Sequence, residues 1–209
     1  MSNKIYVYGC GGFGQEVTAL AERVGYTVVA FIDDAYKFKT YEGKPVLDIN
    51  SIKNTSNITI GIGNPKVRFN LYSKLTNLGF EHFPNLIDQT AVIMKNSIVE
   101  MGSIVCAGVV ITTSVYIEKF SIVNINATIG HRTVVGCFSN IAPLAALSGD
   151  CHIGKQCFLG TGSSIREKIK IGNNIIVGAG SVVVNNLIYD NSIYVGNPAR
   201  FKKKLGATK

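Results

Sequence analysis

The chain has 209 residues, 46% of them hydrophobic and only 16% charged, a balance that excludes intrinsic disorder and leaves room for one large domain or two small ones. A formal charge of +8 admits acidic ligands, but no nucleic-acid recognition motif accompanies it, so nucleic acid is not an expected partner. No run of 18 apolar residues predicts a membrane span. Met1 to Gly9 runs straight into a strand and a glycine loop, without a signal-peptide pattern. The five cysteines (Cys10, Cys106, Cys137, Cys151, Cys157) include no CxxC pair and read as reduced thiols of a cytoplasmic protein.

Residues 4–9 (KIYVYG) form the first predicted strand and lead into Gly9-Cys10-Gly11-Gly12-Phe13-Gly14. A helix follows with Val17, Leu20, Ala21 and Val24 on one face and Gly25 as its stop. A second strand, Thr27 to Ile32, ends on Asp33 and Asp34. Gly9, Gly11 and Gly14 match GxGxxG in a strand–loop–helix–strand context. Such a loop brings backbone N–H groups toward a phosphate at a helix N-terminus, and an acid after the second strand can accept from a ribose or base. A third strand, Asn57 to Ile62, precedes Gly63-Asn64-Pro65. Asn64 suits an N-cap and Pro65 the first helical position, with Leu71, Leu75 and Leu78 on the helix and Gly79 ending it. Gly11, Gly12, Phe13, Asp33, Asp34, Gly63 and Asn64 are therefore the expected substrate-binding residues of this unit. It ends near Phe83-Pro84, and some 80 residues are about half a dinucleotide fold, which argues for one nucleotide rather than NAD.

Beyond Pro84 the period changes. Steps of six from Ile87 pass through Ile93, Val99 and Val105 and on to Val177, Val183, Tyr189 and Val195, and only Tyr189 is not Ile, Val or Leu. A small or β-branched residue recurs four positions after many of them, as at Ala91, Ser97, Ser103, Val109, Ser121, Ala127, Thr133, Ser139 and Cys157. Neither a period of 3.6 nor one of 2 explains a six. It fits a solenoid with flat sides and tight corners, in which each aliphatic stacks on its equivalent one coil away. Coils that touch only their neighbours are expected to assemble without the front domain.

The segment from Ile87 to Arg200 resembles the left-handed parallel β-helix of hexapeptide-repeat acyltransferases. This resemblance implies three faces, about 18 residues per coil and a homotrimer. Tyr8 to Gly14, Phe31-Ile32-Asp33-Asp34, Ile62-Gly63-Asn64 and Val195-Gly196-Asn197-Pro198-Ala199 extend the likeness over almost the whole chain. Together they resemble bacterial sugar O-/N-acetyltransferases of the sialic acid and bacillosamine-pathway types. The expected architecture is an α/β Rossmann-like nucleotide-sugar-binding domain (1–83) before a β-helix acyltransferase domain (84–209) with a short basic tail. The expected co-substrate is acetyl-CoA, with no metal. The expected acceptor is a 4-amino-4,6-dideoxyhexose on UDP or dTDP. Sugar O-acetylation and a non-catalytic sugar-nucleotide-binding protein are the alternatives.

Acetyl transfer requires a base and an oxyanion donor. Of three histidines, His82 lies in the connector and His152 reads as a coil-corner residue. His131, two residues past inward Ile129, falls where the resembling enzymes carry their base. The resemblance also implies the Gly149 amide as oxyanion donor, Asn140 beside the acyl group, and Thr161 and Ala179 along the pantetheine arm. Those enzymes usually carry Glu or Asp directly after the histidine; here Arg132 stands there, and a cation facing the imidazole would favour its neutral form. A zinc hydratase on the same fold would need about three histidines at matching coil positions, which this chain does not supply.

Overall fold

The computed structural model describes residues 3–206; the outermost residues of the two expected domains, 1–2 and 207–209, lie outside the described residues. The front of the chain forms β1 (Lys4–Tyr8), α1 (Gly12–Arg23), β2 (Thr27–Ile32), a hairpin of β3 (Thr40–Tyr41) and β4 (Lys44–Leu47), β5 (Asn57–Ile60) and α2 (Pro65–Asn77). The sheet order is β3-β4-β2-β1-β5, parallel except for the hairpin. Because β1 lies between β2 and β5, the chain reverses direction across the sheet at β1. The loops after β1 and β5 flank the crevice where α/β sheets bind ligands.

The sequence does not announce the hairpin, which turns at Glu42-Gly43 with φ of 49° and 72°, the positive pair a two-residue turn requires. β5 also stops two residues before the predicted Ile62. At Gly61 the chain passes so close to α1 that a Cβ there would lie 2.9 Å from the Gly14 Cα.

From Leu86 onward, two-residue strands recur every six residues and stack in parallel at a spacing of 18, Val110 on Thr128 and Thr128 on Ala146. Three sheets result, and the inward column of Val105, Ile111, Ile117, Val123, Ile129 and their successors is buried in one continuous core. Every sixth residue from Asn96 to Gly180 has a positive φ, whether or not it is glycine. Each such corner holding a non-glycine residue costs about 1 kcal/mol in backbone preference, and stacking on the coils above and below holds it in place.

The period of six fails in the last coil. Tyr189 is 56% exposed, while Leu187 at 3% bridges to Ile171, and Tyr194 rather than Val195 pairs with Val177. Shortening this coil lets Ser192–Val195 pair antiparallel with Arg200–Lys204, so the basic tail forms a hairpin across the end of the solenoid.

The coils also touch more than their neighbours. Val17, Leu20 and Ala21 of α1 share an apolar cluster with Leu86, Ile104 and Ile122 on the outer side of one sheet. On α2, Tyr72 meets Phe120 and Phe138, ring centroids 4.5 and 5.5 Å away. The fully buried Arg68 donates to the carbonyls of Phe120 (2.8 Å), Phe138 (2.7 Å) and Ser139 (3.2 Å) on the solenoid, and to Ile62 (2.6 Å) and Gly63 (3.1 Å) on the front loop. Burial pushes its guanidinium down to about 9, which leaves a cation at neutral pH.

Candidate active site

In the front loop the three motif glycines answer different demands. Gly9 has φ 118°, a Cβ on Gly14 would collide with the Gly9 carbonyl, and Gly11 faces open space. This is the division expected of a loop that turns sharply, packs its helix close and leaves the middle free for a ligand's approach. Gly12 is equally open and begins α1.

Asp33 is engaged with its own loop. Its carboxylate accepts from the amides of Cys10 (2.8 Å), Ala35 (2.9 Å) and Tyr36 (3.1 Å), tying the end of β2 to the glycine turn. Asp34 pairs with Lys74 of α2 at 2.7 Å, and Lys74 also donates to the Tyr8 hydroxyl at 3.1 Å. Burial acts against the Asp34 anion, yet hydrogen bonds from Lys74 and Tyr8 and the charge of Lys74 hold its carboxyl below the usual range. Sequence reading missed Lys74, since one lysine on an amphipathic helix reads as solvated.

Asn64 caps α2, accepting from the amides of Lys66 (3.0 Å) and Val67 (3.1 Å). Gly63, Asn64 and Lys66 border a cavity of about 760 Å³ whose other wall includes Gln156, Phe158 and Asn174 of the solenoid. Asn140 lies beside it, ladder partner to Phe158, with its Nδ2 donating to the Gly63 carbonyl at 2.9 Å. Its Oδ1 is buried and has no hydrogen-bond partner among the described residues.

His131 sits on a different part of the solenoid. Since Ile129 stacks on Leu147, the corner His131-Arg132 lies one coil below Gly149-Asp150. A Cβ at Gly149 would fall 2.5 Å from Nε2 and 2.7 Å from Nδ1 of His131, so the imidazole lies flat where any other residue would place its side chain. The ring is about half exposed and makes no hydrogen bond among the described residues.

The amide two residues past an inward position stays out of the coil-to-coil ladder. At Lys119, Cys137 and Lys155 it donates to Glu100, Glu118 and Asn173. The Gly149 amide finds no acceptor among the described residues, which leaves a donor beside the imidazole.

The Arg132 guanidinium is turned to Asp150. Its Nε and Nη2 donate to Asp150 Oδ1 and Oδ2 at 2.6 and 2.9 Å, and Oδ2 lies 3.7 Å from His131 Nδ1. The Arg132 hydrogen bonds hold the Asp150 carboxyl below its ordinary range despite opposing desolvation, with the charges of Arg132, His131 and Lys168 adding to the effect. The carboxylate absent at position 132 is thus present one coil later. A search at a spacing of 18 would have found it.

Thr161 and Ala179 are exposed and one coil apart, but they turn the corner after the Leu159–Val177 face. His131 and Gly149 turn the corner after the Ile129–Leu147 face. The two pairs occupy different edges of the prism. His152 stands outward on a strand, paired with Val134, rather than at a corner, and His82 is exposed in the connector. No cluster of three metal-ligating side chains occurs among the described residues.

Comparison with known proteins agrees with the fold. Residues 4–75 match the family described as PglD N-terminal domain, and residues 150–185 match bacterial transferase hexapeptide (six repeats). The acetyltransferase domain of PglB from Neisseria gonorrhoeae superposes with a TM-score of 0.89 at 32% identity, over 96% of this chain and 100% of that one. PerB from Caulobacter crescentus, in complex with CoA and GDP-perosamine, gives 0.89 at 30% identity, over 96% and 97%. A GDP-perosamine N-acetyltransferase of Escherichia coli O157:H7 is 25% identical over 174 residues, 78% of each chain. The chain belongs to the hexapeptide-repeat sugar acetyltransferases, acyl-CoA-dependent enzymes in which an α/β front domain precedes a parallel β-helix.

Proposed function

We propose that this protein transfers an acetyl group from acetyl-CoA to the amine of a 4-amino-4,6-dideoxyhexose carried on a nucleoside diphosphate, with His131 as general base. One relative named for GDP-perosamine and one solved in complex with it favour guanine as the base, ahead of the uracil or thymine expected from sequence. Their chemistry favours an amine over a hydroxyl acceptor. Such a product serves surface-glycan synthesis, and five unpaired cysteines fit the cytoplasm.

The observation that carries this reading is the corner itself: an accessible imidazole resting on a glycine whose amide has no acceptor among the described residues. As the sugar amine attacks the thioester carbonyl, the His131 imidazole takes its proton and the Gly149 N–H donates to the oxyanion. Collapse of the intermediate expels the coenzyme A thiolate, and the imidazolium returns the proton.

In the same reading residues 1–83 hold the nucleotide sugar, through Gly11, Gly12 and Phe13 at the first loop and Gly63 and Asn64 at the second. Asp33 shapes the first loop and Asp34 borders it. The 84–209 segment holds the acyl donor, with Thr161 and Ala179 along the pantetheine arm and Asn140 toward the acyl end. A donor lying along the Thr161 edge meets a His131 only if a second copy supplies it, which supports a homotrimer with its active sites between subunits.

The test is thiol release from acetyl-CoA with GDP-, UDP- and dTDP-linked 4-amino sugars, and with free sialic acid as control. His131→Ala should lower kcat by about 10²–10⁴-fold with near-normal KM for both substrates. Wild-type turnover in that variant removes His131 from the mechanism, and release with sialic acid alone overturns the acceptor.

A further inference from the structure

We infer that Asp150 is the positioning residue of His131, an acid supplied by the next coil in place of one next in sequence, and that Arg132 holds it there. The inference rests on the reading of His131 as the base.

The corner geometry makes the pairing specific. Arg132 and Asp150 both occupy the positive-φ corner position, with φ of 55° and 60°, at equivalent places in adjacent coils. Stacking at the coil repeat sets their side chains beside each other, as it sets the imidazole upon Gly149. The guanidinium fork grips both carboxylate oxygens, at 2.6 and 2.9 Å, and fixes the plane of the carboxyl group. Oδ2 is left 3.7 Å from Nδ1, about 0.8 Å longer than a hydrogen bond. Such contacts commonly tighten when substrate fills the site.

Once closed, the bond has Nδ1–H donating to Asp150. That selects the tautomer with its lone pair on Nε2, the nitrogen that receives the proton, and stabilises the imidazolium that forms. Arg132 matters here because the carboxylate would otherwise swing freely on an exposed corner. A surface ion pair with no further role would leave the chemical step untouched.

Steady-state kinetics on the full chain test the assignment. Asp150→Asn should lower kcat about 10–100-fold, with KM for acetyl-CoA and for the nucleotide sugar within about twofold of wild type. Asp150→Glu should restore part of the loss, and Arg132→Gln, which keeps the acid and frees it, should lose less than Asp150→Asn. In the His131→Ala background, Asp150→Asn should have no further effect, since a positioning residue acts only through the group it positions. If His131→Ala is crippled while Asp150→Asn turns over at the wild-type rate, or if the two losses multiply, the inference is wrong and the base reading stands. If His131→Ala keeps its turnover, both fall together.

Discussion

Gly149 shows how much of this site depends on one missing side chain. Its φ is not in the left-handed region, so the backbone there accepts alanine; what excludes alanine is the imidazole in the Cβ position. Gly149→Ala should therefore leave the melting temperature within a few degrees and lower kcat at least about 10-fold, because the ring must move away from both the Gly149 amide and Asp150. Thermal melts run beside kinetics will decide it, and an alanine variant with unchanged kcat would show that the ring need not rest where it does. Arg132 teaches a related point. Read beside the histidine in sequence it looks like a cation set against a base; with Asp150 in its fork it belongs to an ion pair whose carboxylate lies 3.7 Å from the ring nitrogen Nδ1.

Among the elements, α2 has the largest reach. Its N-terminus borders the cavity, its Lys74 anchors Asp34, and its Arg68 gathers carbonyls from both the front loop and two coils. An uncompensated buried cation is costly, but here five carbonyl oxygens surround the guanidinium and share its charge. Removing it strands those acceptors. Arg68→Leu should destabilise the protein by about 3–5 kcal/mol and raise KM for the nucleotide sugar, since the Ile62-Gly63 turn loses its tether. Denaturant titration with sugar-nucleotide kinetics measures both effects, and a loss below about 1 kcal/mol would mean water replaces the arginine easily.

For the whole molecule, the solenoid is not the self-contained rod that its repeat implies. Leu86, Ile104 and Ile122 are buried by the front domain, and Phe120 and Phe138 are covered by α2. A chain of residues 84–209 should therefore bind hydrophobic dyes and aggregate, whereas the full chain should unfold in one cooperative transition. This reverses the expectation that neighbour-only stacking lets the coils assemble alone. Calorimetry and sedimentation of the two chains will separate the cases: a soluble, dye-free trimer of 84–209 restores the simpler view.

The sequence by itself determined the solenoid, the glycine loop and the place of His131. Each of these follows from local backbone demands: an inward aliphatic every six residues, a glycine where φ or close packing requires it, and an outward corner two residues past an inward position, where the histidine stands. The same logic stops at the last coil, where Leu187 and Tyr194 enter the core out of step because the closing hairpin shortens it. Only the tertiary structure decided that Asp150 meets His131 and Arg132, and that Arg68 is buried. It likewise decided that Asp33 serves its own loop. The first two are relations between segments one coil or one domain apart, the third joins neighbouring loops of one sheet, and the acids and arginines involved have the composition of an ordinary solvated surface until the fold sets their neighbours.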